Sequence, residues 1–217
     1  MNLPFSEKEF LDVFAAYNMA FWPVISGLWV ITAAITVRNW RSCQDNRSLF
    51  ALLAILWAWS GIVYHWIYFQ SINPAAVFFG ALFLAQAALF VFFVFKPTGR
   101  MKLNLSVRGL LGGFFVLYGL LYPLVNLVFG LEYPRIPLFA VPCPTVLITA
   151  GVLLASEGVP RFAYLIPLIW TAIAGSAAIL LHIRADFPLL AAGALLAVDM
   201  IAPRAFGTKT AMQSSTS

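Results

Sequence analysis

Charged residues are scarce in this chain: they make up 10% of its 217 residues, whereas 62% are hydrophobic. So many apolar side chains exceed what one soluble core of this size can bury. The scarcity of charge therefore excludes an ordinary soluble domain and predicts a protein surrounded by lipid. The net charge is +5, but the basic residues lie in short stretches between apolar runs. We expect them to mark membrane topology, and we expect no nucleic-acid partner.

Cysteine and histidine are also rare, with two residues of each. Cys43 and Cys143 have no CxxC partner and fall on opposite sides of the predicted membrane, which disfavours a disulfide bond between them. The chain also lacks GxSxG, HExxH, CxxCH and glycine-rich phosphate-binding motifs. We therefore predict no cofactor, with a transition metal as a minor alternative. Retinal is excluded because the last apolar run has no lysine for a Schiff base.

Long apolar runs, by contrast, are abundant. A helix that crosses a bilayer needs about 20 mostly apolar residues. Division of the chain at charges and turn residues leaves seven runs, at 18–37, 49–69, 74–95, 109–130, 137–155, 162–183 and 187–202. The last run is the shortest. The runs lack the alternation of membrane strands, and backbone groups in lipid must be paired within their own segment. The sequence therefore predicts an all-α bundle of about seven transmembrane helices.

The distribution of lysine and arginine predicts the orientation, because these residues are retained on the cytoplasmic side. With the N-terminus outside, ten of the thirteen basic residues fall in cytoplasmic segments. The C-terminus is then cytoplasmic. Residues 1–17 predict a short amphipathic helix on the outer surface, with Ser6 as its N-cap and Glu9 three residues later. Residues 18–203 form the bundle, and residues 204–217 are predicted to be a disordered cytoplasmic tail.

Polar residues that are costly in lipid concentrate in the outer half of the predicted bundle, where functional sites are expected. Among them, His65 can hydrogen-bond a neighbouring helix, bind a metal or relay a proton. Pro142 and Pro144 predict an irregular start to the fifth helix. The candidate site consists of Tyr64, His65, Asn73, Asn126, Cys143 and Thr145, with His182, Asp186 and Asp199 as secondary candidates.

Two of the secondary candidates and one site residue also have structural interpretations. His182 lies close to the lipid boundary, where a histidine can reach the headgroups. Asp199 is close to Arg204 in the sequence, so it forms either a salt bridge at the cytoplasmic surface or a proton or cation site. Asn73 and Pro74 together predict a tight turn before the third helix.

The chain also resembles a known family. The stretches that carry the resemblance are MNLPFSEKEFLDVFAAYNMAFWP, WAWSGIVYHWIYFQSINPAAVFFGALFLAQ, VPCPTVLITAGVLL and IPLIWTAIAGSAA. They resemble an uncharacterised bacterial family of multi-pass membrane proteins, a domain of unknown function. The INPAA and PCPT segments are the most distinctive, and the resemblance covers nearly the whole chain. It implies a location in the bacterial inner membrane. Members are sometimes labelled permeases, but the resemblance implies no substrate and no catalytic residue.

Three functions fit these observations. We favour a permease or channel for a small solute or ion, with the polar site in the outer half of the bundle. The second is a structural or assembly subunit of a membrane complex. The third is a membrane-embedded metal-binding enzyme that uses His65, Cys143, His182 and Asp186. We favour a protein without enzymatic activity over an enzyme. The expected partners are the lipid bilayer and a small solute or ion, and an oligomer is compatible with each function.

Overall fold

The protein is an all-α helical bundle, which confirms the all-α part of the predicted fold class. The computed structural model describes residues 4–42, 45–96, 98–101 and 106–202. Two strands of two residues each, β1 (Arg100–Met101) and β2 (Ser156–Glu157), pair antiparallel. The α-helices in these ranges are α1 (Glu7–Ser42), α2 (Arg47–Trp59), α3 (Ala76–Phe95), α4 (Val107–Val128), α5 (Pro142–Ala155), α6 (Leu165–Leu180) and α7 (Phe187–Ile201).

Five helical segments of the described chain are long and apolar enough to cross a membrane. They are Glu7–Arg41, Arg47–Ser71, Ala76–Phe95, Val107–Val128 and Arg161–Leu180. The two remaining helices, α5 and α7, have 14 and 15 residues, fewer than the roughly 20 that a lone crossing requires. Length and composition therefore support five of the seven predicted crossings directly.

The two short helices nevertheless extend between the same two ends of the bundle as the long ones. At the N-terminal end, where α1 begins, Asp12 pairs with Arg135 in the connection before α5, at 2.7 Å. At the opposite, C-terminal end, β2 directly follows α5 and pairs with β1, which lies between α3 and α4. Arg108 at the start of α4 also pairs there with Asp199 near the end of α7, at 2.8 Å. Consecutive α-helices thus alternate in direction.

Helix α5 occupies the centre of the bundle. All of its residues except Cys143 are buried, and it contacts α2, α4, α6 and α7. A Cβ atom at Gly151 would lie 2.5 Å from the carbonyl oxygen of Gly112 in α4. These glycines therefore allow the two helix backbones to touch, as small residues do in membrane helix pairs. A helix enclosed by protein in this way does not need the apolar length that lipid contact demands.

Large apolar side chains are exposed around the outside of the bundle. Helix α5 contributes none of them. A surface of this composition is unfavourable in water and favourable in hydrocarbon, so the exposed residues and the long apolar helices together indicate a membrane protein. Examples from the other helices are Val30, Ile55, Phe78, Leu110, Leu124, Ile179 and Val198.

The amphipathic N-terminal segment is continuous with the first membrane helix, because α1 begins at Glu7. The Ser6 backbone N–H donates to Glu9 Oε2 at 2.8 Å, and the Glu9 N–H donates to Ser6 Oγ at 3.3 Å. This is the reciprocal capping box expected from the sequence. Residues 1–3, Cys43 and the predicted tail at 204–217 lie outside the described residues.

Candidate functional site

Two adjacent site residues, Tyr64 and His65, lie on a π-helical segment. Helix α2 continues as a π-helix over Ser60–Tyr68 and then as a 3₁₀ turn over Phe69–Ser71. Both side chains are buried. The Ser60 hydroxyl donates to the carbonyl oxygen of Ala140 at 2.9 Å and so ties the segment to the connection before α5. Helical turns of π type are rare and frequently occur at functional sites.

The connection between α4 and α5 is held in place by the first helix. The Asn18 amide nitrogen donates to the carbonyl oxygens of Pro134 and Ile136, both at 2.7 Å. The Tyr17 hydroxyl donates to the carbonyl oxygen of Phe139 at 3.2 Å. The irregular start predicted from Pro142 and Pro144 is not observed, because α5 begins at Pro142 and both prolines lie in its first turn, where proline is tolerated. The irregular backbone is the connection before it, since residues 129–141 are not helical. Side chains of α1 supply the hydrogen bonds that this irregular backbone needs within a bundle.

These segments enclose a cavity of about 440 Å³ at the N-terminal end of the bundle. Its volume lies within the range of small-molecule sites, roughly 300–1,000 Å³. Most of its wall is apolar, and aromatic rings dominate it: Phe5, Phe10, Phe14, Tyr64, Phe69, Phe79, Tyr122 and Trp170. The predicted site residues His65, Asn73 and Cys143 and the secondary candidate Asp186 also line it. The structure therefore brings these predicted residues together on one cavity.

His65 is completely buried, and neither of its ring nitrogens has a hydrogen-bond partner among the described residues. Its ring packs edge-to-face against Phe83 and Trp170, with ring centroids 4.8 and 5.0 Å apart. The indole nitrogen of Trp170 is equally without a partner in this part of the chain. Each such buried polar group destabilises the protein by about 1–3 kcal/mol. Three unpaired nitrogens beside one cavity therefore call for an explanation in function.

Asp186 lies at the other polar position of the cavity wall, in a 3₁₀ turn that precedes α7. Its carboxylate accepts hydrogen bonds from the Tyr122 hydroxyl and from the Cys143 thiol, the latter at 3.4 Å. The Tyr118 hydroxyl donates to the neighbouring carbonyl oxygen of Ala185 at 2.9 Å and fixes the turn. Burial raises the pKa of Asp186 to about 6, partly offset by the hydrogen bonds from Tyr122 and Cys143.

Asn73 has a structural role besides its place on the cavity wall. Its side-chain oxygen accepts a hydrogen bond from the backbone N–H of Ala75 at 3.1 Å. This contact shapes the tight turn before α3 that the sequence predicts. Because the oxygen is used in the turn, the amide nitrogen is the group that Asn73 can direct to a ligand.

Two predicted site residues are buried near the cavity but do not line it. Asn126 donates from its side-chain nitrogen to the carbonyl oxygen of Tyr122, one turn earlier, at 2.9 Å. Thr145 lies on the buried α5, 3.4 Å from the Ser60 hydroxyl. Both residues therefore support the wall, behind the side chains that face the cavity.

The other two secondary candidates lie away from the cavity. His182 is exposed in the described structure and adopts a positive φ of 55°. Asp199 is at the C-terminal end, where it pairs with Arg108 and accepts a hydrogen bond from Tyr164 at 3.0 Å. The salt-bridge interpretation of Asp199 thus finds its partner in Arg108, whereas Arg204 lies outside the described residues.

The candidate set did not include Tyr122 and Trp170. Tyr122 donates to Asp186, and Trp170 lines the wall while its indole nitrogen is buried and unpaired. Both are aromatic residues of a kind that also packs ordinary membrane helices, so nothing local in the sequence distinguishes them. Within the described ranges, no three or more histidine, cysteine, aspartate or glutamate residues are grouped so that they could hold a metal ion.

Comparison with known proteins gives one result. No curated protein and no solved structure matches the chain. A family model with the description "Family of unknown function (DUF6064)" matches residues 7–212. This match confirms the resemblance to an uncharacterised family.

Proposed function

The chain belongs to the DUF6064 family of unknown function, and from the geometry of its residues we propose that it is a multi-pass membrane permease for a small organic solute. The observation that carries the proposal is the aromatic cavity with the completely buried, unpaired ring of His65. A solute with a polar group in contact with His65 and Trp170 would supply the missing hydrogen bonds. Its apolar part would fill the aromatic remainder of the cavity.

The composition of the wall favours an organic solute over an inorganic ion. A dehydrated metal ion needs several oxygen or other donor atoms around it, whereas this wall is mostly apolar carbon. The unpaired nitrogens also favour a ligand-binding protein over a purely structural subunit, which has no need of a buried polar group without partners.

The two ends of the bundle differ, and this difference favours a carrier over an open channel. The cavity lies at the N-terminal end, whereas the Arg108–Asp199 ion pair and the β1–β2 pairing join the helices at the C-terminal end. A carrier of this form exposes its site to the two sides of the membrane in turn.

The proposed topology has seven crossings, with the N-terminus outside and the C-terminus in the cytoplasm of a bacterium. Seven basic residues of the described chain support it, since all lie at the C-terminal end, where the positive-inside rule requires them. They are Arg38, Arg41, Arg47, Lys96, Arg100, Arg108 and Arg161. Only Lys8, Arg135 and Arg184 of the described basic residues lie at the N-terminal end.

Binding of 2-phenylethanol to the purified protein in nanodiscs tests the site. We expect saturable binding to the wild type and at least about fivefold weaker binding to His65→Phe, because loss of one hydrogen bond weakens binding by about 1 kcal/mol or more. His182→Asn is the control, since it removes the exposed histidine and asparagine tolerates its positive φ. Equal binding to the wild type and His65→Phe would contradict the proposed site.

Chemical labelling of Cys143 tests transport without knowledge of the solute. In a Cys43→Ser protein Cys143 is the single cysteine, and it lines the cavity. A permease exposes it in turn to both sides, so a membrane-impermeant thiosulfonate reagent should modify it in right-side-out and in inside-out vesicles. Saturating 2-phenylethanol should slow both reactions. Modification from one side alone would contradict a permease, and the protein would then be one that binds a solute without transporting it.

A further inference from the structure

Asp186 is the one charged side chain among the described residues that line the cavity. It is 95% buried, since its exposed fraction is 5%. Both of its hydrogen-bond donors, the Tyr122 hydroxyl and the Cys143 thiol, are neutral. No lysine or arginine of the described chain forms an ion pair with it, and the adjacent Arg184 is exposed. A buried carboxylate without a counter-charge is unfavourable, so the site is electrically incomplete.

Titratable groups approach Asp186 from several elements, and none of them supplies a positive charge. Tyr64 comes from the π-helical segment, Tyr118 and Tyr122 come from α4, and Cys143 comes from the start of α5. His65 lines the same cavity among aromatic rings. The faces of such rings carry the negative part of their quadrupole and attract organic cations.

We propose that the solute of this permease is a small organic cation, an aromatic or alkyl ammonium whose charge lies against Asp186 and which exchanges there with a proton. The inference rests on the proposed function and specifies its substrate class. An anionic solute would meet the carboxylate without any lysine or arginine on the described wall. An ammonium group supplies the missing counter-charge, and the aromatic wall accepts the rest of the molecule.

The exchange conserves charge in the cavity. At a pH below the pKa of Asp186, the solute-free carboxyl holds a proton and is neutral. When the cation arrives, the O–H bond breaks, the proton passes to water and the carboxylate pairs with the ammonium group. The cavity is neutral in both states, and it contains either the proton or the cation. A permease in which these two neutral states cross the membrane, and the empty ionised state does not, therefore exchanges the cation for a proton.

Two probes of nearly identical shape test the substrate class. Benzyltrimethylammonium carries a positive charge, and neopentylbenzene has a carbon atom in place of the nitrogen. Calorimetric titrations in nanodiscs at pH 8 should show saturable binding of the cation to the wild type and at least tenfold weaker binding to Asp186→Asn. Binding of neopentylbenzene should be unchanged or tighter in Asp186→Asn. Asp186→Glu keeps the charge and should keep measurable cation binding.

The pH dependence follows from the same carboxyl. With a pKa of about 6, roughly a tenth of Asp186 is ionised at pH 5 and nearly all of it at pH 8. Cation affinity should therefore fall about tenfold from pH 8 to pH 5 in the wild type and stay constant in Asp186→Asn. The control is Asp12→Asn, because Asp12 is a partly exposed carboxylate at the same end of the bundle, paired with Lys8 and Arg135 and away from the cavity wall. It should retain the wild-type profile.

Transport provides the last measurement. Proteoliposomes with an acidic interior should accumulate radiolabelled benzyltrimethylammonium while protons leave, and Asp186→Asn should abolish both fluxes. If neopentylbenzene and the cation bind equally and Asp186→Asn changes neither, the cation inference is overturned and the neutral-solute permease stands. If neither probe nor 2-phenylethanol binds the wild type, the proposed function fails as well. Equal elution profiles of all variants in size-exclusion chromatography establish that they are folded.

Discussion

His65 and its aromatic neighbours present a conflict between stability and function. The ring is fully enclosed, yet both nitrogens are unpaired within the described structure. A phenyl ring of similar shape would remove the two polar atoms and keep the contacts with Phe83 and Trp170. Sites of this kind are where stabilising substitutions most often reduce activity.

We therefore expect His65→Phe to stabilise the protein while it weakens solute binding. The free energy of unfolding should rise by about 1–3 kcal/mol, the usual penalty of a buried unpaired polar group. Tryptophan fluorescence during thermal unfolding in detergent measures the change. A lower stability of His65→Phe would show that the imidazole nitrogens have partners in the folded protein.

The pKa of Asp186 predicts a pH-dependent stability. Burial raises this pKa from 3.8 to about 6, so the folded state favours the neutral carboxyl. Below about pH 3 the group is neutral in the folded and the unfolded state and adds no penalty. As the pH rises from about 4 to 6, the carboxyl ionises in the unfolded state but not in the folded state, so the folded protein loses roughly 3 kcal/mol of stability, the free energy of about two pKa units. Asp186→Asn should therefore be more stable than the wild type at pH 8 and about equal to it at pH 3. Thermal unfolding at the two pH values checks this, and an equal difference at both would contradict it.

At the scale of single residues, the sequence could predict how deep in the bundle a residue lies but not the direction in which its side chain points. His65, Asn73, Cys143 and Asp186 share the cavity because helices that alternate in direction bring their ends to one side. Asn126 and Thr145 lie at similar depth in the predicted topology, yet their side chains point into helix contacts. Helix rotation is decided by packing against neighbours, which one sequence does not contain.

At the scale of elements, the contact between α4 and α5 depends on glycine. Gly151→Ala would place its Cβ 2.5 Å from the carbonyl oxygen of Gly112. Backbone cannot yield as a flexible side chain can, so the helices must separate, and we expect a loss of roughly 1–3 kcal/mol of stability. Gly27→Ala in α1 is the matched control, because nothing lies within 4 Å of its added Cβ, and it should be neutral or slightly stabilising. Equal thermal stability of the two variants would contradict the close contact.

The boundaries of the elements show which features of the sequence are informative. The third, fourth and sixth apolar runs match α3, α4 and α6 closely, because length and hydropathy define a membrane helix well. The run at 49–69 hides the change from α-helix to π-helix at Ser60. This change leaves the apolar composition untouched, so hydropathy cannot reveal it. The shortness of α5 likewise follows from its burial in the bundle, which is a tertiary property.

At the scale of the whole molecule, the proposed orientation predicts a labelling pattern. In a protein with Cys43→Ser and Cys143→Ser, Lys8→Cys places a thiol at the N-terminal end and Arg161→Cys places one at the C-terminal end. Both native side chains are exposed. An impermeant maleimide should modify Lys8→Cys in intact cells and Arg161→Cys only after permeabilisation. The reverse pattern would show that the topology is inverted. Labelling of both cysteines in intact cells would contradict the placement of the two ends of the bundle on opposite sides of the membrane.

The enclosure of α5 also has a consequence for biosynthesis. Membrane proteins are made from the N-terminus onward, so α5 leaves the ribosome before α6 and α7 exist. Without neighbouring helices, the hydroxyl groups of α5 would face lipid. The ribosome has already synthesised α2 and α4 by this point, so these two helices can cover them. Trp57 of α2 donates a hydrogen bond to Thr149 at 2.8 Å. The glycines of α4 leave room for the α5 backbone to pack closely against that helix. The order of the helices along the chain thus provides the central helix with its partners at the moment it is made.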